Sequence, residues 1–150
     1  DVNLNAKAVF YGATLQHKKA HFIRSIMESL GYIISRNIEA IDAMGLEISQ
    51  IRTIGGGSKS DIWNQIKADI TGKKLYTTYS SQDTACLGAA ILAGVAAGIF
   101  ESIDSACDSM IRIKKEYIPN EENHKMYRKQ YEKYKILFSS LQGLFKMDAE

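Results

Sequence analysis

Apolar residues recur at helical spacing in the first third of the chain and again near its end. From Phe22 to Ile41 they return every three or four positions, which is the spacing of one helix face. The pattern predicts a helix over residues 18–44 that Gly45 ends. A second stripe predicts a final helix whose aromatic face packs in the core: Tyr127, Tyr131, Tyr134, Leu137, Phe138 and Leu141.

Shorter β-branched or alternating runs predict strands at residues 8–12, 51–54 and 74–79. A helix is predicted after each of them, so the expected order is β-α-β-α-β-α, followed by further C-terminal helices. Strands that alternate with helices form mostly parallel or mixed sheets covered by helices. The predicted fold class is therefore α/β.

A stretch of small apolar residues follows the third predicted strand, at residues 84–98. Ser80, Ser81 and Asp83 predict the start of a helix there. Because a membrane span needs about 20 apolar residues, this shorter stretch predicts a buried helix packed against the sheet. Gly94 and Gly98 would then permit close packing inside the protein.

The last third of the chain predicts two more helices and a loose end. Residues 104–112 indicate a short helix, and Pro119 breaks the chain before a helix start at Asn120. The residues after Gly143 are expected to be loose, as terminal residues commonly are.

Length and composition fit one soluble globular domain or a large piece of one, with 150 residues, 45% hydrophobic and 24% charged. The net charge is only +2, so neither nucleic acid nor a membrane is an expected partner. Cys86 and Cys107 lack metal-ligand spacing, and free thiols favour a cytoplasmic protein. His17 and His21 stand four apart, but no third ligand lies near them in sequence, so no metal site is expected.

Three consecutive glycines, Gly55, Gly56 and Gly57, lie between the second predicted strand and the helix that contains Trp63. Because glycines lack Cβ atoms, their N–H groups can approach a ligand closely. The helix N-terminus beyond them offers further unpaired donors and a partial positive charge. The stretch therefore predicts a phosphate-binding loop.

Two serines compete to cap the helix that follows the glycines. Either Ser58 or Ser60 can accept a backbone N–H through its hydroxyl oxygen, and Ser58 with Asp61 has the spacing of a capping box. The same hydroxyls could serve a ligand, so both roles stay open.

Other interpretations of the glycine stretch are weaker. A Walker-type loop needs glycine directly before Lys-Ser, and Ser58 occupies that place. A dinucleotide fingerprint starting at Gly55 would end at residue 60, which is Ser60, and it would predict a preference for NAD over ADP. An ordinary glycine-rich turn between a strand and a helix also remains open.

Several blocks of the sequence resemble the C-terminal domain of the FGGY carbohydrate kinases, which share the actin-like (ribonuclease H-like) ATPase fold. Residues 8–28 are similar to the family's second signature, except that Ala13 stands where a larger aliphatic residue is usual. Residues 55–69 and 87–93 resemble two further blocks, and residues 127–141 resemble the terminal helix. The resemblance covers nearly the whole chain and is greatest to members that act on a pentulose such as xylulose.

The resemblance implies ATP-dependent transfer of the γ-phosphate to a sugar or polyol hydroxyl, with Mg²⁺ as the accompanying ion. The nucleotide would lie between two domains, with the backbone of Gly56 and Gly57 against its α-phosphate and ribose. Ser60 and Asp61 would border the adenine. Together with Gly55, these are the expected nucleotide-binding residues.

No catalytic or metal-binding residue is expected in this chain, because the family's catalytic aspartate would lie upstream of Asp1. Residues 1–150 are expected to form the later part of the C-terminal domain of a two-domain kinase and to be inactive alone. A cut sheet would expose a strand edge, which favours a homodimer. A non-catalytic actin-like nucleotide-binding or regulatory domain remains the alternative.

Overall fold

A computed structural model describes residues 4–79 and 83–147 of the chain. It contains six α-helices and three strands in these two ranges, with a 3-10 turn at Gly56–Lys59. In chain order they are α1 (Lys19–Asp42), β1 (Gln50–Thr53), α2 (Asp61–Thr71), β2 (Lys74–Thr78), α3 (Thr84–Ala96), α4 (Ile103–Met110), β3 (Ile113–Tyr117), α5 (Glu121–Ser140) and α6 (Gln142–Met147).

The three strands form one mixed sheet in the order β1-β2-β3. Strands β1 and β2 run parallel, with Ile51 opposite Leu75. Strands β2 and β3 run antiparallel, with Leu75 opposite Tyr117. The prediction of a mostly parallel or mixed sheet is confirmed in its mixed form, and β2 is the central strand.

Helix α2 is the central element, because its two faces belong to two different hydrophobic clusters. Ile66 and Ile70 pack with Tyr32 of α1 and with aromatic residues of α5. Ala68, on another face, packs with Leu75 and the rest of the sheet. The helix therefore lies between the sheet and the α1–α5 pair.

Helices α1 and α2 are in contact at Gly31. A Cβ atom on Gly31 would lie 2.6 Å from Cδ1 of Ile70, so any larger residue there would force the Ile70 side chain to move. Next to this contact the ring of Tyr32 lies 5.8 Å from that of Tyr131 of α5. The predicted aromatic packing face of the last long helix is confirmed at Tyr127 and Tyr131, which are both buried.

A buried carboxylate, that of Asp69, joins α2 to the start of α5. Its Oδ1 accepts hydrogen bonds from the Asn120 backbone N–H at 2.9 Å and from Gln65 Nε2 at 2.7 Å. Its Oδ2 accepts one from Asn123 Nδ2 at 2.9 Å. A negative group at a helix N-terminus is favourable because it meets unpaired N–H donors and the positive end of the helix dipole.

The helix boundaries predicted at Gly45 and Asn120 are confirmed. Gly45 has a φ of 80°, and Leu46 N donates to Ile41 O at 3.3 Å, which is the six-to-one bond of a Schellman motif. Gly72 ends α2 in the left-handed conformation with a φ of 66°. Asn120 caps α5 by accepting the Asn123 N–H at 2.9 Å.

Two strand predictions differ from the structure. Residues 8–12 form no strand, because none of the described strands pairs with them; the Phe10 ring instead packs edge-on against Phe22 at 5.2 Å. Strand β3 was not predicted, because Lys114, Lys115 and Glu116 interrupt its apolar pattern. Both differences arise because pairing partners, and not local alternation, decide whether a segment joins a sheet.

The prediction that residues 84–98 form a helix buried against the sheet is wrong in its burial. Helix α3 forms, but most of its side chains are exposed, including Leu92 at 60%. Only Ile91 and Gly94 are buried in it, and a Cβ on Gly94 would lie 2.8 Å from the Phe100 ring. Ser80 and Ser81 lie outside the described residues, and Asp83 takes the N-cap position without a side-chain cap.

The burial of α1 and the C-terminal residues also differ from expectation. Helix α1 forms as predicted, but Ile23, Ile26 and Ile33 of its apolar stripe are exposed, while the adjacent face with Tyr32 is buried. The residues after Gly143 were expected to be loose, and those up to Met147 instead continue as α6, which buries Phe145.

Within the described ranges, no helix is both long and apolar enough to cross a membrane.

Replacing Asp69 with alanine is expected to lower the free energy of unfolding by about 3 kcal/mol, because three hydrogen-bond donors lose the charged acceptor that they share. Urea unfolding of the purified chain measures this. The matched control is Asp108→Ala, which removes an exposed carboxylate from α4 and is expected to change stability by less than about 0.5 kcal/mol. Equal stability of the two variants would show that the Asp69 network is not stabilising.

Candidate functional site

The three glycines lie in a tight connection between β1 and α2, at the carboxyl end of a parallel strand. Gly55 has a φ of 73° and a ψ of −164°, a combination that essentially only glycine adopts. The chain then makes the 3-10 turn, in which Ser58 N and Ser58 Oγ both donate to Gly55 O, at 3.1 and 2.7 Å. The loop is therefore a defined structure and not a flexible linker.

Gly56 and Gly57 have different surroundings. A Cβ on Gly56 would meet nothing within 4 Å, whereas a Cβ on Gly57 would lie 3.1 Å from the Trp63 ring. Within the part of the chain that the structure describes, neither backbone N–H has an acceptor. The loop thus presents two unpaired donors, with open space beside Gly56 and the Trp63 ring beside Gly57. Unpaired backbone donors in such a turn can bind an anion.

Two side chains of α2 hold the loop and the helix in place through hydrogen bonds. Asn64 is fully buried, and its Nδ2 donates to Ser58 O at 2.7 Å. The Trp63 indole Nε1 donates to Met27 O of α1 at 3.2 Å. These two bonds connect the loop to α2 and α2 to α1, so the donors of the loop are held in position before any ligand arrives.

Lys67 lies directly beneath the loop and is 6% exposed. Its Nζ donates to Thr53 Oγ1 and to Asn64 Oδ1, both at 3.3 Å, and lies 4.5 Å from the centre of the Trp63 ring. Burial lowers the pKa of Lys67, because desolvation disfavours the charged form. Sequence reasoning missed Lys67 and Asn64; the signal was their spacing on one face of α2 with Trp63.

The structure decides between the two candidate caps of α2. Ser60 is the N-cap, and its Oγ accepts the Trp63 N–H at 3.3 Å. Ser58 lies inside the 3-10 turn with its hydroxyl bonded to Gly55 O, so the capping box predicted for Ser58 and Asp61 does not form. The Ser60 hydroxyl faces its own helix in this structure.

Asp61, the other residue expected near a ligand, pairs with β3. Lys115 Nζ lies 2.8 Å from Asp61 Oδ2, and the Tyr117 hydroxyl donates to Asp61 Oδ1 at 2.6 Å. The Lys115 ammonium first, and the Tyr117 hydroxyl second, hold the pKa of Asp61 below its ordinary value. Asp61 therefore fastens the first turn of α2 to the sheet edge while its carboxylate remains exposed.

A concave region away from the glycine loop lies between the N-terminal segment, α1 and the C-terminal helices, with a volume of about 650 Å³. Its walls are mostly apolar and include the rings of Phe10, Phe22 and Phe138. The charged pair inside it is satisfied internally, because Arg24 Nε donates to Glu28 Oε1 at 2.7 Å. This pair therefore has its charges satisfied within the protein and is not free to bind a polar ligand.

The two neighbouring histidines accept backbone hydrogen bonds at the start of α1. His17 Nδ1 accepts the Thr14 N–H and His21 Nδ1 accepts the Lys18 N–H, both at 3.0 Å. In residues 4–79 and 83–147, no three His, Cys, Asp or Glu side chains come together as metal ligands. The two cysteines are free thiols.

Asp61 predicts a pH dependence of stability. Because its folded-state pKa is lowered, its stabilising contribution is present above the unfolded-state value of about 3.9 and is lost as the pH falls through the lower folded value. Urea midpoints of the wild type and of Asp61→Asn should therefore differ at pH 7 and converge in acid. A difference that stays constant down to pH 2.5 would contradict this, and Asp108→Asn is the control.

Comparison with known proteins identifies similar sequences and folds. The sequence model described as "FGGY family of carbohydrate kinases, C-terminal domain" matches residues 2–97. The xylulose kinase of Staphylococcus epidermidis is 33% identical over 135 residues, which cover 90% of this chain and 27% of that protein. The xylulose kinase of Escherichia coli K12 is 30% identical over 139 residues, covering 93% of this chain and 28% of that protein.

Solved structures give the same result for the fold. The xylulose kinase from Rhodospirillum rubrum superposes with a TM-score of 0.83 and 21% identity, over 94% of this chain and 28% of that one. A gluconate kinase from Lactobacillus acidophilus gives a TM-score of 0.79 with 26% identity, over 91% and 27% of the two chains. The chain thus spans just over a quarter of the curated relatives it matches.

Proposed function

Because this chain belongs to the FGGY family of carbohydrate kinases, through the C-terminal domain whose model it matches, we propose that it supplies the nucleotide-binding part of an ATP-dependent sugar kinase. It carries part of the actin-like ATPase fold, as the sequence resemblance implied. On this proposal, residues 1–150 are the later part of the C-terminal domain of a two-domain enzyme. The whole enzyme transfers the γ-phosphate of ATP to a sugar or polyol hydroxyl.

The single observation that carries this proposal is the glycine loop at the start of α2. Two unpaired N–H groups, at Gly56 and Gly57, lie in the short turn that precedes α2, and Gly56 borders open space. A phosphate group fits this chemistry, because it accepts hydrogen bonds from backbone donors and is attracted by the helix dipole. We assign the α-phosphate and ribose of ATP to the loop.

The adenine side of the proposed site is formed by the turn from the loop into α2. Gly55 sets the direction of the chain, and Ser60 and Asp61 follow the loop at the start of the helix. Since the Asp61 carboxylate already pairs with Lys115, we assign Asp61 to the border of the adenine and not to a charged contact. Ser60 lies beside it with its hydroxyl turned toward α2.

For the sugar, we propose a pentulose such as xylulose. Xylulose kinases of Staphylococcus epidermidis, Bacillus subtilis and Escherichia coli are all at least 30% identical to this chain. The chain itself holds the nucleotide side, so the sugar would be recognised largely by other parts of the enzyme. The two free cysteines suit a cytoplasmic enzyme of this kind.

The transfer step needs more than the glycine loop. Phosphoryl transfer depends on a positioned nucleophile, on Mg²⁺ that neutralises the developing charge and on stabilisation of the equatorial oxygens. The loop of this chain orients the nucleotide by its backbone donors, and we place the base that accepts the hydroxyl proton outside these 150 residues. The isolated chain is accordingly proposed to bind nucleotide without turning over.

Gly56→Val is expected to weaken ADP binding at least tenfold, because its side chain would occupy the space that the phosphate needs. Gly56 has no positive φ, and its Cβ would meet no protein atom, so folding should be unaffected. Amide spectra of the labelled chain titrated with Mg-ADP measure both properties. Gly143→Val, which also enters open space, is the control and should bind as the wild type does; unchanged affinity of the Gly56 variant would refute the placement.

The purified 150-residue chain is expected to show no ATP-dependent phosphorylation of xylulose, because it carries only the nucleotide side. A coupled ADP-release assay with xylulose, compared with the same assay lacking sugar, tests this. Sugar-dependent turnover by the chain alone would overturn the division of roles. Nucleotide binding by a complete natural protein that also never phosphorylates a sugar would favour the regulatory alternative.

A further inference from the structure

The lysine beneath the glycine loop has an unusual electrostatic position. Lys67 is almost fully buried, and in the part of the chain that the structure describes no carboxylate lies within ion-pair distance of its Nζ. Its oxygen partners, Thr53 Oγ1 and Asn64 Oδ1, are both neutral. Buried lysines ordinarily occur with a charged partner, so this one carries an uncompensated charge.

The two carboxylates of α2, those of Asp61 and Asp69, interact with other groups. Asp61 pairs with Lys115 and Tyr117 at the edge of the sheet. Asp69 accepts its hydrogen bonds at the start of α5, from Asn120 and its neighbours. Neither charge is therefore available to neutralise Lys67.

The position of the charge points to the glycine loop. The Lys67 Nζ lies 3.7 Å from where a Cβ of Gly57 would stand, so the ammonium lies close to the backbone of the loop. An ammonium has three donors, and the two bonds at 3.3 Å use two of them. Helix dipole, loop donors and ammonium all favour negative charge at the same place.

We propose that Lys67 is a positioning and specificity-determining residue that makes the glycine loop select nucleotides by their phosphate charge. This inference rests on the proposed function, since it concerns the same nucleotide site, and it assigns the loop a preference for a nucleoside diphosphate or triphosphate over the uncharged nucleoside. Lys67 acts through the loop and through its electric field, without bonding to the sugar substrate. Its counter-charge is the phosphate of the ligand.

The test compares two ligands that differ in charge, ADP and adenosine, on the wild-type chain and on Lys67→Gln. The glutamine removes the charge and keeps an N–H donor for Asn64 Oδ1, so the loop retains its support. ADP affinity should fall about tenfold, as expected for the loss of one partly screened charge near the phosphate, while adenosine affinity should change less than about twofold. Titrations follow the Gly56 and Gly57 amide signals.

Two further variants control for charge and for fold. Lys129→Gln removes one positive charge from an exposed site on α5 and should leave both affinities unchanged. Lys67→Arg keeps the charge and should retain the preference for ADP. If Lys67→Gln weakens ADP and adenosine equally, Lys67 only supports the loop, and this inference fails while the proposed function stands.

A measurement without any substitution gives a second readout. A pH titration of the Lys67 Cε carbon signal reports its pKa in the free chain, with ADP and with adenosine. Because linkage is reciprocal, a tenfold preference of ADP for the charged lysine requires a rise of about one in the pKa of Lys67 on ADP binding. Adenosine should leave that pKa unchanged. An equal pKa with both ligands would overturn the inference, and a wild type that binds no ADP would overturn the proposed function together with it.

Discussion

The carboxylate of Asp69 is the interaction on which the arrangement of the helices depends. It lies on α2, the one helix that touches both hydrophobic clusters, and it accepts the first backbone donor of α5. Since α5 supplies the aromatic rings that cover α1, this single charge sets where the outer helix begins. Burying a carboxylate is costly unless its oxygens are satisfied, and here they accept three hydrogen bonds.

The same helix organises the loop. Because α2 is buried on several faces, its polar side chains must form hydrogen bonds inside the protein. The two that matter most lie toward opposite ends of the helix. Asp69 serves the C-terminal side, whereas Asn64 holds the Ser58 carbonyl near the N-terminus. The geometry of the glycine loop thus depends on the helix that follows it as well as on the bonds that Ser58 makes to Gly55 within the loop.

Sequence alone predicts the elements whose signals are local. Periodicity predicts α1 and α5, and serine chemistry offers Ser58 or Ser60 as the cap of α2, of which the structure selects Ser60. The failures are tertiary in origin: β3 is hidden by Lys114 and Lys115 facing water, and the exposure of α3 depends on what covers it. The sequence predicts a phosphate site at the glycine loop and the structure leaves that a prediction, but the different surroundings of Gly56 and Gly57 and the position of Lys67 beside the loop require the fold.

The contact between Gly57 and Trp63 has a consequence for how such a loop can change over generations. A side chain at residue 57 would begin 3.1 Å from the ring, while the indole N–H is engaged by Met27 and cannot easily turn aside. The two positions are therefore coupled, because a larger residue 57 requires the ring of Trp63 to move. A smaller residue at position 63 would make that room, and it would lose the bond to α1 in the same step.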